Sequence, residues 1–261
     1  MPNKILANFD EAVADIPNGA SIAIEGWGFP ATPQNLIAAI KRKGVKDLTV
    51  IAHVFIPLVW SEEEGTMPSV LLPQMKKLIA AVVGIQRLGA GAFVKEYIEK
   101  GLEVEFTGFG TMASRLYAGA AGLGGIYDPV GVGTILEDGK EKKVIDGKEY
   151  ILQKSIRPDY AFVVAHKADR LGNLVYKGYR ASGPLMAMAA KVTIVEVDKL
   201  VEVGEIDPEH VVTPGIFVDR IIEIPEWGLG TPQKGKALIN KLGEIDFVRK
   251  MLFGSDDRSE P

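Results

Sequence analysis

The stretch from Gly26 to Pro33 holds residue types that let the backbone approach a negatively charged ligand. It follows the apolar run from Ser21 to Ile24 and precedes a helical pattern that starts at Gln34. Thr32 and Pro33 are residue types favoured at the N-cap and the first position of a helix. Such a turn presents free N–H groups and the positive end of the helix dipole. It predicts a phosphate or carboxylate site, or alternatively a tight turn without a ligand, because the pattern is neither a Walker loop nor a complete Gly-x-Gly-x-x-Gly.

Glycine is also concentrated in residues 108–110 and 119–133. Ordering so much glycine costs backbone entropy, which is easiest to explain where the backbone approaches a ligand or a partner. Ordinary turns between strands and helices are the alternative interpretation.

The sequence gives little support for a metal site, a thiolate site or a hydrolase triad. The three histidines, His53, His166 and His210, are far apart without metal-ligand spacing, so they are interpreted as structural or merely polar and no metal site is predicted. There is no cysteine and no Gly-x-Ser-x-Gly elbow, which leaves thiolate sites and a hydrolase triad without an anchor.

Composition favours a globular enzyme or binding protein. Of the 261 residues, 47% are hydrophobic and 25% charged, and the net charge of −4 does not favour nucleic-acid binding. The most hydrophobic stretch, from Leu48 to Trp60, is too short to span a membrane. The first residues lack the apolar region of a signal peptide. We therefore expect a cytoplasmic protein with neither nucleic-acid nor membrane partners.

Apolar runs that alternate with helical patterns define the expected architecture. They predict an α/β fold, an open and mainly parallel sheet with helices on both faces. Strands are expected at residues 21–24, 48–52, 78–83, 102–106, 160–165 and 192–197, and helical patterns at 5–16, 34–40, 91–100 and 112–121, with another helix starting at Pro184.

The pattern changes between residues 137 and 152, where Asp138-Gly139 and Asp146-Gly147 indicate tight turns. This predicts a small antiparallel hairpin insertion at about 135–153. The last residues, 254–261, are expected to form a solvated tail. The domain prediction is one domain over residues 1–261.

A series of short motifs then carries a family resemblance over roughly residues 7–226. In order they are Gly131-Val-Gly-Thr134, Gly139-Lys-Glu141, Asp146-Gly-Lys-Glu-Tyr150, Asp159-Tyr-Ala161, Ala168-Asp169, Gly172-Asn173, Met186-Ala-Met-Ala-Ala-Lys191, Gly204-Glu-Ile-Asp-Pro208 and Thr213-Pro-Gly-Ile-Phe-Val-Asp-Arg220. Together they resemble the A (α) subunit of family I CoA-transferases, which include the acetate/acetoacetate and succinyl-CoA:3-oxoacid enzymes.

The resemblance implies a heteromeric enzyme whose B (β) subunit has a similar fold and carries the catalytic glutamate. No segment of this chain matches the surroundings of that glutamate, so no catalytic residue is expected here. Coenzyme A would be a substrate, alongside a carboxylic acid, and no tightly bound cofactor is implied.

Three places carry the family's site residues over to this chain. The CoA-binding glycine turn aligns with Glu25, Gly26, Trp27, Gly28, Phe29, Pro30 and Ala31, in which Glu25 and Ala31 replace glycines. The family's Pro-Gln-Gly-Thr, whose glutamine helps to hold the thioester oxygen, aligns with Gly108, Phe109, Gly110 and Thr111. An Arg-Asn-Phe-Asn-Pro segment aligns with residues 180–184, which makes Arg180, Ser182 and Gly183 candidates for the acyl pocket.

These departures affect the expected reaction. Phe109 cannot donate the glutamine's hydrogen bond, and losing one oxyanion donor typically costs about 2.7–4 kcal/mol. Either another donor compensates or the site serves a different acyl group, such as a larger or aromatic acid. Two alternatives stay open: a two-subunit enzyme of the same superfamily that hydrolyses acyl-CoA or opens a ring, and a non-catalytic ligand-sensing or scaffold subunit.

Overall fold

The computed structural model describes residues 3–26, 32–55, 68–83, 90–177 and 182–225. In chain order the helices are α1 (Phe9–Ala12), α2 (Gln34–Lys43), α3 (Ala90–Glu99), α4 (Phe109–Ala120) and α5 (Gly183–Ala189). The strands are β1 (Ser21–Ile24), β2 (Leu48–Phe55), β3 (Met75–Val83), β4 (Glu103–Phe106), β5 (Gly125–Asp128), β6 (Lys142–Ile145), β7 (Lys148–Lys154), β8 (Tyr160–Asp169), β9 (Leu174–Val175), β10 (Val192–Val201) and β11 (Arg220–Glu223).

The main sheet has the strand order β11-β10-β8-β1-β2-β3-β4, and all of these neighbours are parallel. Among the described strands, the two-residue strand β9 alone joins it antiparallel, against β8. The central strands are continuous apolar runs because a parallel sheet is buried on both faces. The predicted fold class, an open and mainly parallel sheet, is therefore confirmed.

Successive residues of each strand point to opposite faces of the sheet, where they pack in two separate hydrophobic cores. On one face, Ile22, Val50 and Leu78 pack with α1, α2 and α3. On the other, Ala23, Ile51 and Ile79 pack with α4 and α5. This second face is called the α4 face below.

A three-stranded antiparallel sheet, β5-β7-β6, lies within and beside the predicted insertion. Asp146 and Gly147 form the β6–β7 turn with φ of 50° and 75°, the left-handed backbone that this dipeptide was expected to supply. The third strand, β5, was not predicted. Buried Arg115 of α4 links this sheet to the main one, because its Nε donates to Lys154 O at 2.8 Å and its Nη1 to Glu105 Oε1 at 2.6 Å.

The helical spacing at residues 5–16 yields only the four-residue helix α1. Asn8 caps it by accepting a hydrogen bond from Glu11 N–H. Before Asn8, the chain runs along the edge strand β11 instead, with Ile5 bridged to Ile221. The unpaired backbone groups of an edge strand compete successfully with the helical pattern there.

The remaining differences are at element ends and at two short strands, β9 and β11. β2, β3, β8 and β10 extend beyond the predicted apolar runs, and β11 was not predicted. The tail predicted at 254–261 lies outside the described residues. Within the described part of the chain, no helix is long and apolar enough to cross a membrane.

Candidate functional site

Four residues lie side by side near the carboxyl ends of β1 to β4: Glu25, His53, Ala81 and Thr107. Glu25 and Thr107 directly follow β1 and β4, and His53 and Ala81 lie two residues before the ends of β2 and β3. The pairing of the residues before them sets this level: Ala23 with Ile51, Ala52 with Ala80, and Ala80 with Phe106. Because side chains alternate between the faces of a strand, all four point to the α4 face. We call them the carboxyl-end row. Ligands of open α/β sheets bind at this end of the strands.

Glu25 turns its side chain into the protein. It is 1% exposed, and its carboxyl accepts hydrogen bonds from the N–H of Val164, at 3.1 Å, and of Gly183 at the start of α5. Burial raises the pKa of Glu25 well above its usual range, although both hydrogen bonds oppose the shift. A Cβ added to Gly183 would lie 2.2 Å from Glu25 Oε1, so glycine is required at this contact.

His53 is 4% exposed and is held from two sides. Its Nε2 lies 2.6 Å from Ser182 Oγ, and its ring stacks on that of Phe109 with centroids 5.4 Å apart and planes 8° apart. Burial lowers the pKa of His53 to about 4, so the imidazole is neutral near pH 7. Its Nδ1 is buried without a hydrogen-bond partner among the described residues.

Thr107 ends the row and resembles His53 in one respect: its buried Oγ1 has no hydrogen-bond partner within the described ranges. The three oxyanion-region candidates follow it on α4. Phe109 is 38% exposed and covers His53, Gly110 is exposed, and Thr111 is buried and donates to Asp128 Oδ2 at 2.6 Å.

The start of α2 differs from the prediction. Pro33, not Thr32, is the N-cap, so the helix begins one residue later than expected. The N–H of Leu36 and the side chain of Asn35 donate to the carboxyl of Glu196, on β10, at 2.6 and 2.7 Å. The carboxyl of Glu196 therefore accepts hydrogen bonds at the helix start that was predicted to bind an anionic ligand.

Glycine is needed at Gly26 for two reasons. Its φ is +144°, and an added Cβ would lie 2.3 Å from Thr32 Oγ1. The other residues of the predicted CoA-binding turn, 27–31, lie outside the described residues, as does Arg180. The structure therefore brings together Glu25, Phe109, Ser182 and Gly183 from three separately predicted groups.

Sequence reasoning missed His53, Thr107 and Glu196. Each is a polar residue in or next to an apolar strand, and His53 had been interpreted as structural or merely polar. A polar residue at the carboxyl end of a predicted parallel strand is the signal that could have singled out His53 and Thr107. In the described part of the chain, no group of three or more histidine, aspartate or glutamate side chains is placed to hold a metal ion.

The chain is similar to known proteins over most of its length. The Coenzyme A transferase family matches residues 6–224. The A subunit of a probable succinyl-CoA:3-ketoacid coenzyme A transferase from Bacillus subtilis is 40% identical over 84% of this chain and 89% of its own. The A subunit of the 3-oxoadipate CoA-transferase from Pseudomonas putida is 37% identical over 86% of this chain and 95% of its own.

The fold has solved counterparts. The acyl-CoA transferase YdiF from Escherichia coli O157:H7 superposes with a TM-score of 0.75 at 21% identity. The match covers 88% of this chain and 49% of that one, so this chain corresponds to about half of that enzyme's chain.

The chain belongs to the Coenzyme A transferase family. Within it, the matched relatives identify the chain as the A subunit of a CoA-transferase. The resemblance, the fold class and the enzyme class stated from the sequence are thereby confirmed. Such a chain implies a complementary B subunit, and the family uses CoA as a substrate.

Proposed function

We propose that this chain and a B subunit of similar fold form one active site, in which the partner supplies the catalytic glutamate. That carboxylate attacks the acyl-CoA thioester, expels CoA thiolate and forms an acyl-glutamyl anhydride. The thiolate then attacks the glutamyl carbonyl and releases the free carboxylate, which leaves CoA on the glutamate as a thioester. An acceptor acid reverses these steps and leaves as the new acyl-CoA.

The carboxyl-end row is the observation that supports this division of roles. Its ionisable members are unsuited to nucleophilic attack, because Glu25 is buried under two N–H donors and burial lowers the pKa of His53. What the row offers is neutral polar groups beside a partly exposed aromatic ring. Such a surface positions an acyl group and leaves the covalent chemistry to the partner.

We further propose that the donor is succinyl-CoA and the acceptor a 3-oxo acid. The two A-subunit relatives are named for 3-ketoacid and 3-oxoadipate transfer. The acyl group would lie between Phe109 and the segment with Arg180, Ser182 and Gly183, while residues 25–31 would contact CoA. Phe109 adds apolar surface that also suits a larger or aromatic acid.

The partner surface is expected to include exposed apolar residues beside α4. Tyr117 is 61% exposed, and Ile126 and Tyr127 are half-buried. Leu116 is fully buried in the core of the α4 face, so it is not part of that surface. The one-domain boundaries and the cytoplasmic location stay predictions.

The test is coexpression with the B subunit, followed by incubation with succinyl-CoA and with acetoacetate, 3-oxoadipate or benzoylacetate as the acceptor. The expected result is CoA transfer that requires both chains and an acceptor. Intact-mass analysis without acceptor should show one CoA adduct on the B subunit, with none on this chain.

The same assay separates the alternatives. Loss of the thioester without any acceptor would indicate hydrolysis or ring opening. No turnover by a well-folded pair, with any donor, would favour a non-catalytic subunit. Full transfer by this chain alone would contradict the proposal.

A further inference from the structure

Two buried polar atoms without partners flank a single small side chain. These atoms are His53 Nδ1 and Thr107 Oγ1, and no other buried side-chain nitrogen or oxygen in the described part of the chain lacks a hydrogen-bond partner. Ala81 lies between them in the carboxyl-end row and is partly exposed. With strands spaced about 4.8 Å apart, the Cα atoms of His53 and Thr107 lie about 10 Å from each other. Ala81 carries the small side chain between the two residues, and we call the space over its methyl group, between His53 and Thr107, the recess.

Burying such atoms unpaired destabilises the folded protein. Such groups are rare in native proteins, and a catalytic role is one reason for their retention. Since both residues border this space at the carboxyl end of the sheet, one ligand group can reach both atoms.

The environment of His53 determines which of its atoms faces that ligand. Ser182 occupies Nε2 at 2.6 Å, and Phe109 covers one face of the ring. If the Ser182 hydroxyl donates to Nε2, the neutral ring carries its proton on Nδ1. Nδ1–H is then a donor of fixed direction, and the Thr107 hydroxyl is a second one.

The charge of the recess indicates the kind of group that it accepts. The polar groups that the structure describes around it (Glu25, His53, Thr107 and Ser182) include no cation, and the buried imidazole is neutral near pH 7. An uncharged acceptor fits better than a carboxylate or phosphate, because an anion needs a compensating charge when it leaves water. The thioester carbonyl is the uncharged acceptor at the reacting end of every acyl-CoA.

We propose that His53 Nδ1–H donates a hydrogen bond to the thioester carbonyl oxygen of the acyl-CoA, with Ser182 fixing the tautomer and Thr107 as a second donor in the same recess. This inference rests on the proposed function. It assigns to His53 the donor that Phe109 cannot provide. A donor aimed at this oxygen gains strength as negative charge develops there in the transition state.

The test measures binding, so that it does not depend on turnover. The probes are acetyl-dethia-CoA, a ketone in which methylene replaces sulfur, and S-ethyl-CoA, a thioether without the carbonyl. Calorimetry with the two-subunit protein gives the ratio of their dissociation constants. Wild type should bind the ketone about tenfold more tightly, as expected for a well-formed hydrogen bond.

Two substitutions of His53 test which of its two ring nitrogens binds the ketone. The amide of His53→Asn reaches the place of Nδ1, whereas the amide of His53→Gln reaches that of Nε2. The asparagine variant should keep most of the preference for the ketone, and the glutamine variant should lose it, with S-ethyl-CoA affinity as the internal reference. His210→Gln, at an exposed histidine, is the matched control and should change nothing.

Ser182→Ala is the second test, for use if the His53 variants do not fold. Freeing the tautomer should reduce the preference for the ketone several-fold. An unchanged preference in His53→Gln, equal loss in both His53 variants, or no preference in wild type would each overturn the inference. A preference for the ketone in a pair that transfers no CoA would uphold it while contradicting the proposed function.

Discussion

The side-chain carboxyl of Glu196 accepts a hydrogen bond from the backbone N–H of Leu36 at 2.6 Å, which joins the middle of β10 to the first turn of α2. Complete burial raises the pKa of Glu196 to about 8, against the opposing hydrogen bonds from Leu36 and Asn35. The contact therefore joins these two elements with a carboxyl group that is mostly protonated at pH 7.

Glu196→Gln should change how stability depends on pH. Between pH 4.5 and about 8 the folded protein keeps a proton that the unfolded chain releases, so the wild-type free energy of unfolding falls as pH rises. One proton contributes at most about 1.4 kcal/mol per pH unit. Glutamine does not ionise. The free energy of unfolding of the variant, measured with urea, should therefore rise relative to that of wild type between pH 5 and pH 8. Glu209→Gln, at an exposed site, is the control; a difference that stays constant with pH would contradict the assignment.

Gly183→Ala should destabilise the protein through Glu25. The new Cβ would lie 2.2 Å from the buried carboxyl, and overpacking of this kind typically costs about 1–3 kcal/mol. Combined with Glu25→Ala, it should cost clearly less than the sum of the single changes, because the clash disappears. Urea unfolding of the three variants measures this coupling.

Gly110→Ala is the matched control, since nothing lies within 4 Å of an added Cβ there. In α4 it should stabilise by about 0.5–1 kcal/mol. Strict additivity of the Gly183 and Glu25 changes would show that the two residues do not contact each other.

Phe109→Ala should expose His53 and raise its pKa from about 4 toward the ordinary value of 6.5. Water would then solvate the imidazolium that burial now disfavours. Only three histidines are present, so the ring Cε1–H signals can be followed by NMR, with His53→Gln assigning the resonance. An unchanged titration would show that other groups exclude water from the ring.

Asp159→Asn should weaken the junction of β1 and β8 in a pH-dependent way. Partial burial raises the pKa of Asp159, but hydrogen bonds from Lys191 and Ser21 outweigh it and lower the pKa to about 2. Its stabilising effect is therefore present above pH 3.8 and lost as pH falls toward 2. Thermal unfolding should show a larger deficit for the variant at pH 7 than at pH 2.5; a larger deficit at pH 2.5 would contradict this.

Much of the fold was predictable because buried parallel strands are continuous apolar runs. The runs that begin at Leu48, Tyr160 and Val192 each became a strand. The short strands β5, β9 and β11 were not predicted, since two to four residues carry too little pattern to separate them from loops. The isolated bridge at Ile5 depends on a neighbouring strand, which local sequence does not reveal.

The site was predictable only in part, for a similar reason. The family resemblance pointed to Glu25, Phe109, Ser182 and Gly183 as separate features. That Glu25 bonds Gly183 and that Phe109 stacks on His53 depends on the register between strands and on where α4 and α5 begin. Register follows from the packing of the whole sheet, so no local pattern contains it.

Arg115 joins α4 to both the main sheet and the small sheet. A single guanidinium bonds the edge of the main sheet and the last residue of β7, and it does so from the helix whose first residue is Phe109. Because of these hydrogen bonds, a tilt of α4 would move Phe109 and the small sheet together. The position of the ring above His53 is thus tied, through α4, to that of the small sheet.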